Sequence, residues 1–293
     1  MRSEREVLHQ LQRWGEARPN VRVMILTSSR ANPYRSPDRL SDYDVEVFVR
    51  NAAPFVQNDA WVREFGEIMV RWPSTPQPTA DEAWVTQLVL YEDGTRIDFQ
   101  VTALPPDASD NLGNGYQILL DKDGTADALP EPTYSQHLIQ PPTAEAFDSR
   151  MNAFWWDIVY VAKALRRGEL NYARRMLDGT IRYDKLQPLI EWYIAMNHEE
   201  PVNTGIYGRW FHEYLDPDTW ADYERTFAGA DFEDHWRALF ATLDLVRKLG
   251  RALAREHGFD YPEETDRKVT AYMQWIRELD HLTDHVQNGG TEP

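Results

Sequence analysis

SSRANPYRSPDRLSDYDVEVFV, residues 28–49, joins a turn of small residues to a strand that begins with acids. Side chains two apart on a strand point the same way, so an extended backbone aims Asp42 and Asp44 at one place. Aspartate is disfavoured inside strands, and two side by side repel, so something must offset that repulsion. The segment VRVMILTS, residues 21–28, reads as a buried strand that leads into the turn, and DYDVEVFV, residues 42–49, as the strand that leaves it.

A third acid stands on a later strand. WVTQLVLYEDGTRIDFQVTAL, residues 84–104, holds two strand-like runs around Asp93-Gly94, a dipeptide suited to a tight hairpin. Asp98 lies on the second run, between apolar Ile97 and Phe99, which alternate away from it. With this hairpin beside the DYDVEVFV strand, three carboxylates converge, and bound divalent cations answer their repulsion. Hard, oxygen-seeking Mg²⁺ suits such a site, and a pair of metal ions fits an in-line displacement at phosphorus. The turn Thr27-Ser28-Ser29-Arg30 offers backbone N–H groups and hydroxyls to phosphate oxygens, and Arg30 adds charge. No Gly-rich Walker loop or Ser-His-Asp arrangement competes with this reading.

The composition narrows the classes. With 293 residues and 42% hydrophobic content, the chain can bury a substantial core and most naturally forms two domains. The absence of cysteine removes disulfides, thiolate nucleophiles and thiolate zinc sites. A formal charge of −17 repels nucleic acid and anionic membrane and attracts cationic small molecules. The start, MRSEREVLHQLQRW, has no apolar signal region, and no apolar run approaches the roughly 20 residues of a membrane span. The chain therefore reads as a cytoplasmic protein, a monomer or weak homo-oligomer, with neither nucleic acid nor membrane as partner.

Val7, Leu8, Leu11 and Trp14 recur at helical spacing near the start. Proline-rich surface loops are expected at residues 73–82 and 128–143, the second marking a domain boundary. Beyond it strand signals vanish. Amphipathic helices are expected over 144–167, 171–196, 217–228, 231–257 and 265–285, with Asp216-Pro217 as N-cap and first helical residue. The fold class is α+β: residues 1–135 form a domain with a mixed sheet and flanking helices, and residues 136–293 a helical bundle.

The pattern of small turn, DxD and later strand acid resembles the nucleotidyltransferase superfamily. More closely, the chain is similar to the aminoglycoside 6-adenylyltransferases, which modify streptomycin. The residues that carry this are SRANP (29–33), DYDVEVFV (42–49), LYEDGTRID (90–98), LLDKDG (119–124), FWWDIVYVAKAL (154–165) and GFDYP (258–262), spread through nearly the whole chain. The resemblance implies transfer of AMP from Mg-ATP to a streptomycin hydroxyl. Asp42 and Asp44 are then metal ligands, Ser28, Ser29 and Arg30 meet the triphosphate, and Asp98 either binds metal or accepts the proton of the attacking hydroxyl. ATP and a cationic aminoglycoside are the implied partners. The 1–135 domain would bind ATP and metal, and the 136–293 domain the acceptor. The family's GSR reads Ser28-Ser29-Arg30 here. Glycine there lets phosphate approach the backbone without a Cβ in the way, so serine implies a working but shifted triphosphate site. The rival readings keep the chemistry with a protein or nucleotide acceptor, or leave a nucleotide-binding remnant without turnover.

Several residues carry two readings. Trp155, Trp156 and Tyr160 are core by their helical spacing, or line the acceptor site. Lys163 is a solvated helix residue or a phosphate partner. Asp178, Glu191, Glu199 and Glu200 are solvated acids, or bidentate partners for guanidinium groups of the acceptor. Asp178 and Glu191 lie on the helices that resemble the family better. His281 and His285 have zinc-binding spacing without a glutamate base between them. DKDG at 121–124 reads as a turn and not as a calcium loop.

Overall fold

The acidic strand lies at the centre of a six-stranded mixed sheet of order β3-β4-β5-β2-β1-β6. This is a computed structural model that describes residues 1–34, 36–75 and 84–279. The strands are β1 (Val21–Thr27), β2 (Tyr43–Val49), β3 (Ile68–Trp72), β4 (Trp84–Tyr91), β5 (Arg96–Thr102) and β6 (Gln117–Asp121). The chain divides into two compact units, Met1–Gln136 and His137–Pro293, and the sheet belongs to the first.

Helix α1 (Glu4–Glu16) opens with a reciprocal cap between Ser3 and Glu6 and buries Val7, Leu11 and Trp14. These residues, with a short helix α2 (Ala53–Gln57), cover one face of the sheet. That face carries Tyr43, Val45 and Val47 of β2 together with Ile97, Phe99 and Val101 of β5. The alternate residues of both strands, including Asp44 and Asp98, turn to the opposite face. The apolar cluster on that side is smaller and is built on Val23, Ile25, Phe48, Leu112 and Ala126. The carboxylates are thus strand residues on the thinly covered side.

The expected hairpin is present: β4 and β5 pair antiparallel through a turn in which Gly94 takes φ +82°. The edge strands β3 and β6 are absent from the sequence reading. The two proline-rich segments differ in what can be said of them. Residues 76–83 lie outside the described residues, whereas 128–143 are described and contain the division between units.

The second unit is helical: α3 (Ala144–Arg166), α4 (Leu170–Arg174), α5 (Gln187–Met196), α6 (Phe211–Tyr214), α7 (Pro217–Arg225), α8 (Phe232–His257) and α9 (Glu263–Glu278). Asp216 caps α7 through the Thr219 amide, with Pro217 behind it, as expected. The segment expected as one helix over 171–196 is interrupted by twelve residues of π-helix, Arg175–Leu186. One core runs through this unit, from Phe147, Met151 and Phe154 of α3 to Leu249 and Leu253 of α8 and Met273 of α9. No described helix is long and apolar enough to cross a membrane.

Candidate active site

Register brings the acids together. Strands β2 and β5 run parallel, with Asp44 paired to Asp98 and Tyr43 to Ile97, while β1 runs antiparallel on the other flank, with Thr27 paired to Asp44. One end of three adjacent strands therefore gathers Asp42, Asp44, Asp98 and the Ser28–Arg30 turn. The close packing has an electrostatic cost. Burial, and then the charges of Asp98 and Asp42, push the Asp44 carboxyl up to about 6; a hydrogen bond from the Ser28 hydroxyl and the charge of Arg96 offset part of this. Asp42 is raised as well, first by burial, against the attraction of Arg96.

Arg96 has the central place among these acids. Its Nε and Nη2 donate to the two oxygens of Asp98 at 3.0 and 2.7 Å, and Nη1 stands 3.2 Å from Asp42 Oδ2. Sequence reading did not single it out, although it lies two residues before Asp98 and so on the same face. Glu46 is a second omission, signalled by the alternation Asp42, Asp44, Glu46. It is buried; one oxygen accepts from Asn111 Nδ2 at 2.6 Å and the other has no partner.

The turn departs from glycine at a conformational cost. Ser28 takes φ +60°, in the left-handed region that a side chain disfavours. Ser29 is exposed. Arg30 is committed elsewhere: its Nε donates to the Asp42 carbonyl at 3.0 Å and its Nη2 to the Ser41 carbonyl at 2.7 Å. Its guanidinium also covers the Tyr43 ring at 3.8 Å. Arg30 thus buttresses the loop that carries Asp42. A cavity of about 610 Å³ opens on the Asp42 side, within the size of ligand pockets, and four arginines, Arg2, Arg30, Arg39 and Arg96, are in its lining.

The remaining expected residues belong to the second unit. Trp155 is 1% exposed within the helical core, edge-to-face with Phe154, so it does not line a ligand surface; its exposed neighbour is Trp156. The helical period turns residues 151, 154, 155 and 158 inward together and leaves 156 outside. Lys163 stands 6.0 and 5.9 Å from the Tyr160 and Tyr272 rings, contacts that give no support to a phosphate role. Asp178 meets Arg182 at 3.3 Å and Arg174 at 3.8 Å. Glu191 accepts from Gln187 at 2.8 Å, and burial raises its carboxyl. Asp121 receives the amides of Asp123, Gly124 and Ala126 and closes a turn, as DKDG implies. His281 and His285 lie outside the described residues.

Among the described residues, no group of three His, Cys, Asp or Glu is gathered closely enough to hold a metal ion. Asp42, Asp44 and Asp98 nevertheless form a donor set of hard oxygens on one face, which fits Mg²⁺ in chemistry, and Arg96 lies among them where cations would go.

Comparison with known proteins places the whole chain in a family. The family model of streptomycin adenylyltransferase matches residues 1–276. An aminoglycoside 6-adenylyltransferase of Bacillus subtilis (strain 168) is 30% identical over 283 residues, 94% of this chain and 98% of the relative. One of Campylobacter jejuni is 27% identical over 279 residues, 93% and 95% of the two chains. A crystal structure of an aminoglycoside 6-adenyltransferase from Bacillus subtilis, 26% identical, covers 95% of this chain and 100% of that one with a TM-score of 0.48. A match that takes in both the acidic strands and the helical unit makes this chain a member of the streptomycin adenylyltransferase family, an enzyme of the aminoglycoside nucleotidyltransferase class.

Proposed function

We propose that this enzyme transfers AMP from ATP to the 6-hydroxyl of streptomycin, releasing pyrophosphate and conferring resistance to the drug. The observation that carries the reading is the pairing of Asp44 with Asp98, with Asp42 beside them and the Ser28–Arg30 turn adjoining. The relatives' names support an aminoglycoside acceptor and the 6-position. In the reaction the acceptor oxygen forms a bond to the α-phosphorus of ATP. The bond from that phosphorus to the bridging oxygen breaks, its electron pair leaves with pyrophosphate, and the hydroxyl proton goes to a base.

Asp42, Asp44 and Asp98 would hold Mg²⁺, two ions in this reading, which when bound supplies positive charge to phosphate oxygens and to the attacking and leaving groups. Asp98 is the residue assigned either to accept the hydroxyl proton or to complete this ligand set. Ser28 and Ser29 present a small turn to the triphosphate. The adjoining cavity sets four arginines against Glu4, Asp38 and Asp42, a small local excess of positive charge in a chain of net −17. The same negative field draws in a cationic acceptor, and Asp178 and Glu191 of the helical unit are the carboxylates assigned to its guanidinium groups. The unit Met1–Gln136 is thereby the nucleotide and metal domain, and the helical unit the acceptor domain.

Pyrophosphate release with ATP, Mg²⁺ and a panel of aminoglycosides tests the reading. Release that depends on streptomycin, with AMP found on its 6-hydroxyl, is the expected result. AMP placed on a protein or nucleotide and on no aminoglycoside would overturn it.

A further inference from the structure

Arg96 occupies an unusual position for a residue beside three proposed metal ligands. It stands on β5 two residues before Asp98, and the parallel register sets it across from Asp42. All three guanidinium nitrogens are engaged: two on Asp98 in a bidentate fork and one on Asp42. Such a fork is the geometry arginine provides for carboxylates, and lysine does not reproduce it. A single positive charge thus ties the later strand acid to the first member of the DxD pair.

Two features mark this as an exchangeable contact and not a fixed strut. Arg96 remains 43% exposed along its side chain, whereas Asp98 is 12% exposed, so the cation sits at the solvent edge of the cluster it neutralises. Arg96 is in the lining of the 610 Å³ cavity, so there is room for the guanidinium to leave. Arg182 shows the alternative arrangement. It is buried and donates to equally buried Thr226, to its carbonyl at 2.9 Å and its hydroxyl at 2.6 Å.

We propose that Arg96 is a displaceable counter-cation: it holds Asp42 and Asp98 together until divalent metal arrives, then gives up both carboxylates to the metal. Arg96 is a positioning residue in this scheme, since it acts through the carboxylates and not on the reacting atoms. Three clustered acids without a cation would splay under their mutual repulsion, so the guanidinium keeps them aligned. The inference rests on the reading that Asp42, Asp44 and Asp98 are the metal ligands.

The test uses the full chain with Mn²⁺ alone, followed by the paramagnetic resonance of free Mn²⁺, and heat denaturation with and without the ion. Arg96→Ala removes the competitor, so Mn²⁺ should bind about fivefold more tightly, as expected for loss of a half-exposed ion pair near 1 kcal/mol. The same variant should melt lower than wild type without Mn²⁺ and gain more from its addition. Affinity that is unchanged or weaker, with binding still dependent on Asp44, overturns the proposal and leaves the metal site standing. Binding of Mn²⁺ undiminished in Asp44→Asn overturns the metal site and the proposal together. Should Arg96→Ala fail to fold, wild type decides the matter. Saturating Mg²⁺ should shift the Arg96 Nε–H resonance and speed its exchange with water, and a resonance that Mg²⁺ leaves unmoved overturns the displacement.

Discussion

Asp44 in the sheet unit and Asp266 in the helical unit are both carboxylates carried out of water, and the chain treats them oppositely. Asp266 receives Arg247 in a bidentate fork at 2.7 and 2.6 Å, the Tyr261 hydroxyl at 2.9 Å and the Thr270 hydroxyl at 3.1 Å. Burial alone would raise its carboxyl, but these donors outweigh burial and hold it below the ordinary range. Asp44 is pushed up to about 6 by burial and then by the charges of Asp98 and Asp42, which its one bond from the Ser28 hydroxyl and the charge of Arg96 do not offset. A buried acid well supplied with donors stabilises a fold; one held among other acids with a single donor marks a place prepared for something that is not protein. The sheet unit thus gives up stability where the helical unit secures it.

The contrast can be broken most strongly through activity. Asp44→Asn should reduce adenylyl transfer by a hundredfold or more, on the order of 3 kcal/mol of transition-state stabilisation. Asp266→Asn should leave turnover per folded molecule unchanged. Equal losses in the two variants, measured by pyrophosphate release on folded protein, would erase the distinction.

Stability should rank the pair in reverse. Asp266→Asn takes away the buried carboxylate of Arg247, leaves it only the exposed Asp244 as an acid partner, and should cost about 3 kcal/mol in denaturant melts, in the range for removing one partner of a buried pair. Asp44→Asn should instead stabilise the protein at pH 8 without metal, by on the order of 2 kcal/mol, because it removes a strained charge. The sign follows from the raised carboxyl. Wild type binds the Asp44 proton more tightly folded than unfolded, so that stability is present below about 3.8 and lost as pH rises toward 6. The advantage of Asp44→Asn should therefore shrink as pH falls from 6 to 4. An advantage that is constant across that window would contradict the assigned cause.

The smallest effect sharpens the picture at the turn. Ser28→Gly relieves a left-handed φ of +60°, while Ser28→Ala keeps the strain and loses the hydroxyl. The glycine variant should be more stable than the alanine variant by about 1 kcal/mol. Both lose the bond to Asp44, so in both the Asp44 carboxyl should titrate higher than in wild type, a shift visible by NMR.

The central strands were legible because β1 is a largely apolar run, β4 alternates, and Asp93-Gly94 favours a tight turn between β4 and β5. The edge strands escaped because β3 has no buried residue and β6 has one, so neither shows a burial period. The helical half was legible in extent but not in winding. Around Gly179, where a Cβ would collide with the Arg175 guanidinium, the chain follows a π-helix that no periodicity announces. At the site, the three acids and the turn could be read from spacing. The engagement of Arg30 with backbone carbonyls could not, since it depends on how the loop before Asp42 folds back, nor could the reach of Arg96 to Asp42, since that depends on the pairing of β2 with β5. Trp155 and Trp156 make the same point, for adjacent residues on one helix face opposite environments.

The most direct test of the paired acids as the adenylyl-transfer centre is Asp98→Asn, with turnover and calorimetric streptomycin binding measured on one preparation. Asparagine keeps the shape of the side chain but can neither take a proton nor neutralise a metal. Turnover reduced by at least about a hundredfold, with acceptor affinity within a few-fold of wild type, is the predicted result. Near-normal turnover would contradict it and remove Asp98, and the strand register that places it, from the chemistry.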